Sequence, residues 1–240
     1  VNPLQFGPGE DLEAYPHTPE DDRALLTREA CDALFLPGVA QMFGAATNQL
    51  PEQLTEQLAE QTRIHVPVVS EGLCGASRPG HFDGVATIVC KLLNMVRPDR
   101  AYFGLKDYQQ FLVVSKLVAD LKLPVTIEGV ETVRDQHGLA LSSRNNYLSD
   151  EQRADAALLY QCLQECAAQV KAGAREYGSL ETAAIQRLRD GRIWPDYFAI
   201  RNADTLKPAT PEDRRLVILA AAFVGPTRLI DNLRLELTPA

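Results

Sequence analysis

The sequence predicts an α/β fold, with a parallel sheet in the first half of the chain and a smaller α+β unit after it. Strand-like and helix-like segments alternate up to about Val130, which is typical of βαβ units. Beyond that point two helical segments precede three strand-like ones, the order of a separate α+β unit. With 240 residues, 45% of them hydrophobic, the chain can bury a sizeable core. We therefore expect one domain over residues 1–130 and a second over residues 131–240.

The first segments predict the end of a strand and then a helix. Val1 is expected to be the last residue of a strand, because the proline of "NP" cannot continue a central ladder. The segment "TPEDDRALLTREAC" predicts a helix with Thr18 as its N-cap and Pro19 at its first position. Acidic residues follow in the first turn, where the helix dipole favours them.

Two segments between residues 30 and 65 carry weaker patterns. The apolar run "DALFLP" at residues 32–37 predicts a short strand. The segment at residues 49–61 repeats Glu-Gln with few apolar anchors, which predicts a surface helix or an inserted flap without chemistry.

The next four segments predict a βαβ unit. Apolar residues of "DGVATIVCKLLNMV" fall on one face of a helix. A strand "AYFG", a helix "DYQQFLVVSKLVADL" and a strand "VTIEGV" follow, and they close the first domain.

The C-terminal region predicts two helices and three strands. Ser149 with Gln152 three residues later forms a capping-box pattern, and that helix is expected to end near Gly173. A second helix is expected between Ser179 and Gly191. The predicted strands are "DYFAIR", "RLVILAAAF" and "TRLIDNLRLEL".

Composition narrows the class of protein. A net charge of −8 argues against nucleic acid as the main partner, and no apolar run or leader predicts a membrane span or export. The five cysteines follow neither a disulfide framework nor a CxxC spacing, so we expect a reducing, cytoplasmic location. Cys162 and Cys166 lie four apart, and a buried helix face is favoured over a metal or redox pair. No metal site is predicted.

Polar residues near the start of the chain form two candidate sites. Asn2 and Gln5 follow a predicted strand end, where open α/β sheets bind ligands, although turn chemistry explains them equally well. In "GASRPGHFDGV", Arg78 and His81 precede a helix N-terminus and are candidates to bind an anion. His81 could equally be a helix-start residue that is bonded to backbone.

The segment "FGLKDYQQ" places polar residues between a strand and a helix. Gly104 lets a ligand approach the backbone, Lys106 offers a charge suited to phosphate, and Asp107 can accept bonds from vicinal hydroxyls such as those of a ribose. Asp107 could instead be only the N-cap, but that role leaves Lys106 and Gln110 unexplained.

The segment "LSSRNNYL" combines two hydroxyls with an arginine ahead of a helix. Ser142 and Ser143 can donate hydrogen bonds, and Arg144 adds a charged fork, so together they are suited to a polyanion. A serine-rich interdomain loop would look similar. The position between two domains favours a clamp that closes over a nucleotide.

Five segments resemble one family. "VNPLQF", "SRPGHFDGV", "FGLKDYQQ", "GLALSSRNNYL" and "RLIDN" occur in the order and approximate spacing of pantothenate synthetases, the pantoate-beta-alanine ligases. The resemblance covers the chain from Val1 to about Leu237 and is highly specific. It implies a Rossmann-like nucleotidylyltransferase parallel sheet, a smaller α+β C-terminal domain that closes over the site, and usually a homodimer.

The resemblance also implies a reaction and roles for residues. Pantoate and Mg-ATP would form pantoyl adenylate and pyrophosphate, and β-alanine would then displace AMP. Gln5 and Gln110 resemble the residues that bind pantoate, and Lys106 the residue that serves the phosphates. The ATP-binding residues implied are Gly104, Leu105, Lys106, Asp107, Val133, Leu141, Ser142, Ser143 and Arg144.

The chain departs from the family pattern at three places. The family's HxGH motif is absent, since His17, His65, His81 and His137 form no such pair, and we expect the chain to begin inside an incomplete Rossmann domain. Leu105 and Cys74 stand where the family usually has glutamate. These departures leave two alternatives open: a non-catalytic homologue that binds nucleotide or pantoate, and a different nucleotidylyltransferase on the same fold.

Overall fold

The computed structural model describes residues 1–7, 10–44, 58 and 60–238. Its α-helices are α1 (Pro19–Arg28), α2 (Val39–Phe43), α3 (Leu73–Ser77), α4 (His81–Val96), α5 (Tyr108–Asp120), α6 (Asp150–Lys171) and α7 (Tyr177–Asp190). Its strands are β1 (Arg100–Gly104), β2 (Thr126–Val130), β3 (Trp194–Asn202), β4 (Arg215–Val224) and β5 (Thr227–Glu236). The predicted surface helix at residues 49–61 lies outside the described residues, apart from residues 58, 60 and 61.

A parallel βαβ unit forms the centre of the N-terminal region. β1 and β2 pair in parallel, with Arg100 opposite Thr126 and Gly104 opposite Val130. α5 is the crossover between them, and its buried Val114 packs in one cluster with Val85 of α4. The carboxyl end of β1 therefore leads directly into the N-terminal end of α5, as the sequence predicts.

The C-terminal region is an antiparallel sheet in the order β3-β4-β5, with α6 and α7 packed against it. β4 is buried on both faces, and its successive side chains point alternately into two different hydrophobic clusters. Ile218 and Ala220 face the cluster formed with α6 and α7, whereas Val217 and Leu219 pack with Leu105 of the N-terminal region. The central strand of this sheet thus joins the two parts of the chain.

The first residues pack closely on α4. A short 3-10 turn at Pro3–Gln5 buries Leu4. A Cβ atom on Gly84 would lie 2.2 Å from the Leu4 carbonyl oxygen, so only glycine allows this approach. The Asn2 amide also donates to the Gly84 carbonyl oxygen at 3.1 Å.

The strand prediction for residues 32–37 was wrong. These residues have no regular secondary structure, and Leu34, Phe35 and Leu36 are exposed. Strand propensity needs a pairing neighbour, and this segment is not paired with a strand among the described residues. Val1 lies outside regular structure, and its place at the end of a strand stays a prediction.

The helix-start predictions were confirmed at two positions. α1 begins at Pro19, although the Thr18 side chain makes no capping hydrogen bond. α6 begins after Ser149, which forms the predicted capping box with Gln152. Among the helices of the described residues, none combines the length and the apolar composition that crossing a membrane requires.

Candidate functional site

The candidate site lies where the carboxyl end of β1 meets β5 of the antiparallel sheet. A cavity of about 50 Å³ opens there. Six residues predicted from the sequence line it, namely Arg78, His81, Lys106, Asp107, Gln110 and Arg144. A second cavity, of about 730 Å³, adjoins it and shares Arg78, Arg144 and Arg228 in its lining. The fold therefore gathers polar residues that lie far apart in the sequence.

Residues 104–110 present open space and available polar groups. A Cβ atom on Gly104 would meet no described atom within 4 Å, so the protein leaves this space free. The Lys106 Nζ atom lies 3.8 Å from Asp107 Oδ1. Asp107 occupies the N-cap position of α5, but its side chain makes no capping bond. Within the described part of the chain, the Gln110 amide makes no hydrogen bond and lines the cavity.

The Leu105 side chain lies in the protein core. It is buried with Tyr108 and Leu219, and it packs so closely on β2 that a Cβ atom on Gly129 would lie 2.7 Å from its Cδ2 atom. Its backbone carbonyl accepts a hydrogen bond from Asn232. Leu105 was predicted to contact ATP; its side chain is directed into the core, and the contact stays a prediction.

His81 and Arg78 form a hydrogen-bonded pair at the start of α4. His81 Nδ1 lies 2.8 Å from the Gln5 carbonyl oxygen and donates to it, so Nε2, 3.1 Å from Arg78 Nη1, is the acceptor. Burial, followed by the charge of Arg78, lowers the pKa of His81 from 6.5 to about 4. The ring is therefore neutral near pH 7, as in a helix-start residue bonded to backbone, and it orients Arg78. A direct role in anion binding stays a prediction.

Both candidate anion-binding arginines are held by carboxylates of one loop, which we name the acidic strap (residues 10–15). Arg78 donates to the two Glu10 oxygens at 2.8 and 2.5 Å. Arg144 donates to the two Asp11 oxygens at 2.9 and 2.7 Å. Sequence reasoning missed these partners, although two adjacent acids directly after "GPG" were a usable signal.

The charges of the acidic strap are stabilised by these contacts. The bond from Arg144 lowers the pKa of Asp11. Burial raises the pKa of Glu10, but hydrogen bonds from Arg78 and its charge outweigh burial, so the pKa is lowered overall. Both carboxylates thus carry charge near pH 7, and an incoming phosphate would have to replace them on the arginines.

The hydroxyls of the "SSR" segment make local contacts. Ser142 Oγ accepts from the Arg144 amide at 3.3 Å and caps the 3-10 turn at Ser143–Tyr147. Ser143 Oγ accepts from the Tyr15 hydroxyl of the acidic strap at 3.5 Å. The segment is thus closed against the strap, with Arg144 pointing into both cavities.

Four other predicted residues are not among the described residues that line the two cavities. The Asn2 amide donates to Gln5 Oε1 at 3.2 Å and to the Gly84 carbonyl, which is the turn chemistry that the sequence left as an alternative. The Gln5 carbonyl receives the His81 bond, so Gln5 is adjacent to the site. Val133 and Leu141 are paired by a backbone bond of 2.9 Å and exposed, and neither is among the described residues that line the two cavities.

The structure also contains a second polar cluster, which the sequence analysis did not predict. The Cys74 Sγ atom lies 3.1 Å from the Tyr197 hydroxyl and 3.5 Å from Arg228 Nη2, and Arg228 also pairs with Asp196 at 2.7 Å. Burial, followed by the nearby Cys74, raises the pKa of Tyr197 well above 10, so this hydroxyl stays neutral. Arg228 lies in "RLIDN", a segment that entered only through the family resemblance and received no role.

This arrangement is suited to a charged nucleotide and a hydroxy acid. Three arginines and a lysine can bind phosphates where these replace the carboxylates now paired with the arginines. The Gln110 amide, which makes no hydrogen bond within the described residues, can donate to and accept from hydroxyls. Among the residues that the structure describes, no group of three or more His, Cys, Asp or Glu side chains could hold a metal ion.

Comparisons with known proteins agree along almost the whole chain. The model of the pantoate-beta-alanine ligase family matches residues 1–234. The pantothenate synthetase of Pseudomonas paraeruginosa is 54% identical over 237 residues, which are 99% of this chain and 80% of that protein. The pantothenate synthetase of Azotobacter vinelandii is 50% identical, again over 99% of this chain and 80% of its relative.

Solved structures agree as well. The crystal structure of pantothenate synthetase from Thermus thermophilus superposes with a TM-score of 0.85 at 44% identity, covering 99% of this chain and 81% of the other. That of pantoate-beta-alanine ligase from Francisella tularensis, described as complexed with beta-gamma ATP and beta-alanine, gives a TM-score of 0.74 at 28% identity, covering 97% and 76%. Sequence and fold thus agree from one end of the described chain to the other, and the chain belongs to the pantoate-beta-alanine ligase family.

Proposed function

We propose that the chain catalyses the ATP-dependent condensation of pantoate with β-alanine to form pantothenate. Membership of the ligase family, together with a cavity that collects Lys106, Asp107, Gln110 and Arg144, is the observation that carries this proposal. ATP is bound as its Mg²⁺ complex and is a substrate.

The first step activates the acid. A carboxylate oxygen of pantoate attacks the α-phosphorus of ATP, the bond from that phosphorus to the pyrophosphate oxygen breaks, and pyrophosphate leaves. Lys106 and Arg144 stabilise the negative charge of the phosphates, while Asp107 accepts hydrogen bonds from the ribose hydroxyls. Gln5 and Gln110 orient pantoate, and as neutral amides they leave the charge of its carboxylate unchanged.

The second step forms the amide bond. The neutral amine of β-alanine attacks the carbonyl carbon of pantoyl adenylate, a C–N bond forms, and the C–O bond to AMP breaks. The nitrogen then loses a proton. Gln5 lies near β-alanine, and Val133, Leu141, Ser142 and Ser143 hold the adenosine and phosphate parts until AMP leaves. The hairpin that carries Val133 and Leu141 is exposed, so these contacts require it to close over the nucleotide.

Pyrophosphate exchange tests the first step directly. Radiolabelled pyrophosphate is expected to enter ATP only when pantoate is present, and added β-alanine should give pantothenate and AMP in equal amounts by mass spectrometry. Lys106→Ala should reduce exchange about a hundredfold, within the range measured when one transition-state donor is removed. Tight pantoate or ATP binding with no exchange by wild-type protein would instead identify a non-catalytic binding protein.

We also propose a homodimer in the cytoplasm, in which residues 131–240 act as a lid on residues 1–130. The five unpaired cysteines support a reducing compartment. The bonds from Tyr15 to Ser143 and from Arg144 to Asp11 join the proposed lid to the acidic strap, which supports a lid that closes on this face. Light scattering tests the dimer, and a molar mass of 26.4 kDa in solution would contradict it.

A further inference from the structure

The side chain of Asn232 ties β5 to the turn that carries Lys106. Its Nδ2 atom donates to the carbonyl oxygens of Leu105 and Lys106, in both cases at 2.8 Å, and the residue is buried. An asparagine amide has two N–H donors, so these two bonds use both of them. One amide therefore fixes two successive peptide groups of the turn.

Asn232 is itself held by a buried ion pair. Its backbone N–H donates to Asp231 Oδ1 at 2.8 Å, and Asp231 receives the Arg134 guanidinium fork at 2.6 and 2.9 Å. Arg134 also donates to the Gly138 carbonyl at 3.0 Å and lies 3.5 Å from the centre of the Tyr160 ring. Either charge without its partner would be buried and unpaired, so the pair resists displacement.

The turn depends on this external support. Residues Leu105–Asp107 form a single 3-10 turn, a geometry with weaker internal hydrogen bonds than an α-helix. Asp107 adds no capping bond at the start of α5. The Leu105 side chain anchors one end of the turn in the core, and the Asn232 amide is the polar contact that sets the orientation of the peptide groups next to Lys106.

We propose that Asn232 is a positioning residue, which orients the turn so that Lys106 faces the phosphates of the bound nucleotide. This inference rests on the proposed function, because that function assigns Lys106 to those phosphates. Asp231 and Arg134 hold Asn232 in place, so the antiparallel sheet controls the geometry of a residue at the end of the parallel sheet.

Two variants and one matched control test this role in the full chain. Asn232→Ala removes both donors, and Asn232→Asp keeps the shape of the side chain but turns a carboxylate towards two carbonyl oxygens. The control is Asn202→Ala, at the end of β3 in the same sheet. Asn202 also makes several hydrogen bonds, to Asp213 and to the backbone of residues 204 and 205, and it contacts neither the turn nor the cavities.

Pyrophosphate exchange and thermal melting are measured on all four proteins. We expect kcat to fall about tenfold to a hundredfold in both Asn232 variants, because a displacement of about 1 Å at the reacting groups can lower the rate about a hundredfold. Any rise in the KM for pantoate should be smaller than the fall in kcat, because Gln5 lies on a different segment and only Gln110 follows the turn. The Asn202→Ala control should keep its kcat even if its melting temperature falls as much as those of the Asn232 variants. Equal kcat in the control and the Asn232 variants would overturn the proposal.

Hydrogen exchange gives a measure that does not depend on activity. The amides of residues 105–108 should exchange at least about tenfold faster in the Asn232 variants than in wild type and in the control, because the turn opens more often once the bonds to the Leu105 and Lys106 carbonyls are lost. Unchanged protection there would refute the positioning role. If the wild-type protein shows no pyrophosphate exchange, the proposed function fails, and amide protection still decides whether Asn232 orients the turn.

Discussion

At the residue scale, the neutral state of His81 predicts a dependence of stability on pH. Burial, followed by the charge of Arg78, lowers the pKa of His81 from 6.5 to about 4, while the charges of Glu10 and Asp107 act in the opposite direction. An unfolded chain binds this proton more readily than the folded one, so stability rises with pH across this window. Neutral His81 contributes about 3 kcal/mol to the free energy of unfolding above about pH 6.5. This contribution is lost as the pH falls towards 4.

A variant isolates this contribution. His81→Asn keeps a donor for the Gln5 carbonyl and removes the titrating ring. The number of protons taken up on unfolding between pH 4.5 and 6.5 should therefore fall by about one, and the slope of the unfolding free energy against pH should fall with it. Urea titrations at several pH values measure it. His17→Asn, at an exposed position, is the control for the loss of a histidine, and the slope of the His81 variant is compared with the slope of this control. An unaltered slope in His81→Asn would show that another group causes the dependence.

At the element scale, the acidic strap competes with phosphates for the arginines. Because Asp11 occupies the Arg144 fork, we expect Asp11→Asn to bind inorganic pyrophosphate about threefold to tenfold more tightly. The unfolding free energy should fall by no more than about 1 kcal/mol, since both side chains are partly exposed to solvent. Isothermal titration calorimetry with pyrophosphate measures the affinity.

The outcome distinguishes competition from orientation. If Asp11 instead holds Arg144 in the geometry that an anion needs, Asp11→Asn will bind pyrophosphate more weakly than wild type. Asp120→Asn is the matched control, because it breaks an exposed pair with Lys116 on α5 and changes the net charge equally. Equal affinity changes in the two variants would show that only net charge matters.

The elements also show what the sequence could predict. Segments with a clear local period, such as α4, α5 and α6, were found because an amphipathic face and a cap are properties of neighbouring residues. The strand at residues 32–37 was wrongly predicted, because a strand requires a partner that local sequence does not specify.

The residues of the candidate site also fall into those that local sequence predicted and those that it did not. Arg78, Lys106, Asp107, Gln110 and Arg144 were recognised from local patterns, and they line one cavity. Three of them are held by Glu10, Asp11 and Asn232, which lie 68 to 133 positions away in the sequence, so no local pattern could pair them. Their contacts follow from the fold as a whole.

At the scale of the whole molecule, one core cluster joins the two regions of the chain. Tyr197 of β3 packs against the clusters of both regions, and Val217 and Leu219 of β4 are buried against Leu105. The buried Tyr108 hydroxyl donates to the Ala203 carbonyl at 2.9 Å, which adds a polar tie between α5 and the end of β3. Each region also has clusters of its own, so the proposed boundary near residue 130 separates two regions that one core cluster joins.

This shared core predicts a single cooperative unfolding transition. Differential scanning calorimetry should give one peak, with equal calorimetric and van't Hoff enthalpies. Leu219→Ala should lower the melting temperature of that one peak and cost about 2–5 kcal/mol, because it opens a cavity between β4 and the segment that contains Leu105 and Tyr108. Leu34→Ala, at an exposed position, should change stability by less than about 0.5 kcal/mol. Two peaks, of which Leu219→Ala moves only one, would show that the two regions unfold independently and that contact across β4 is too weak to couple them.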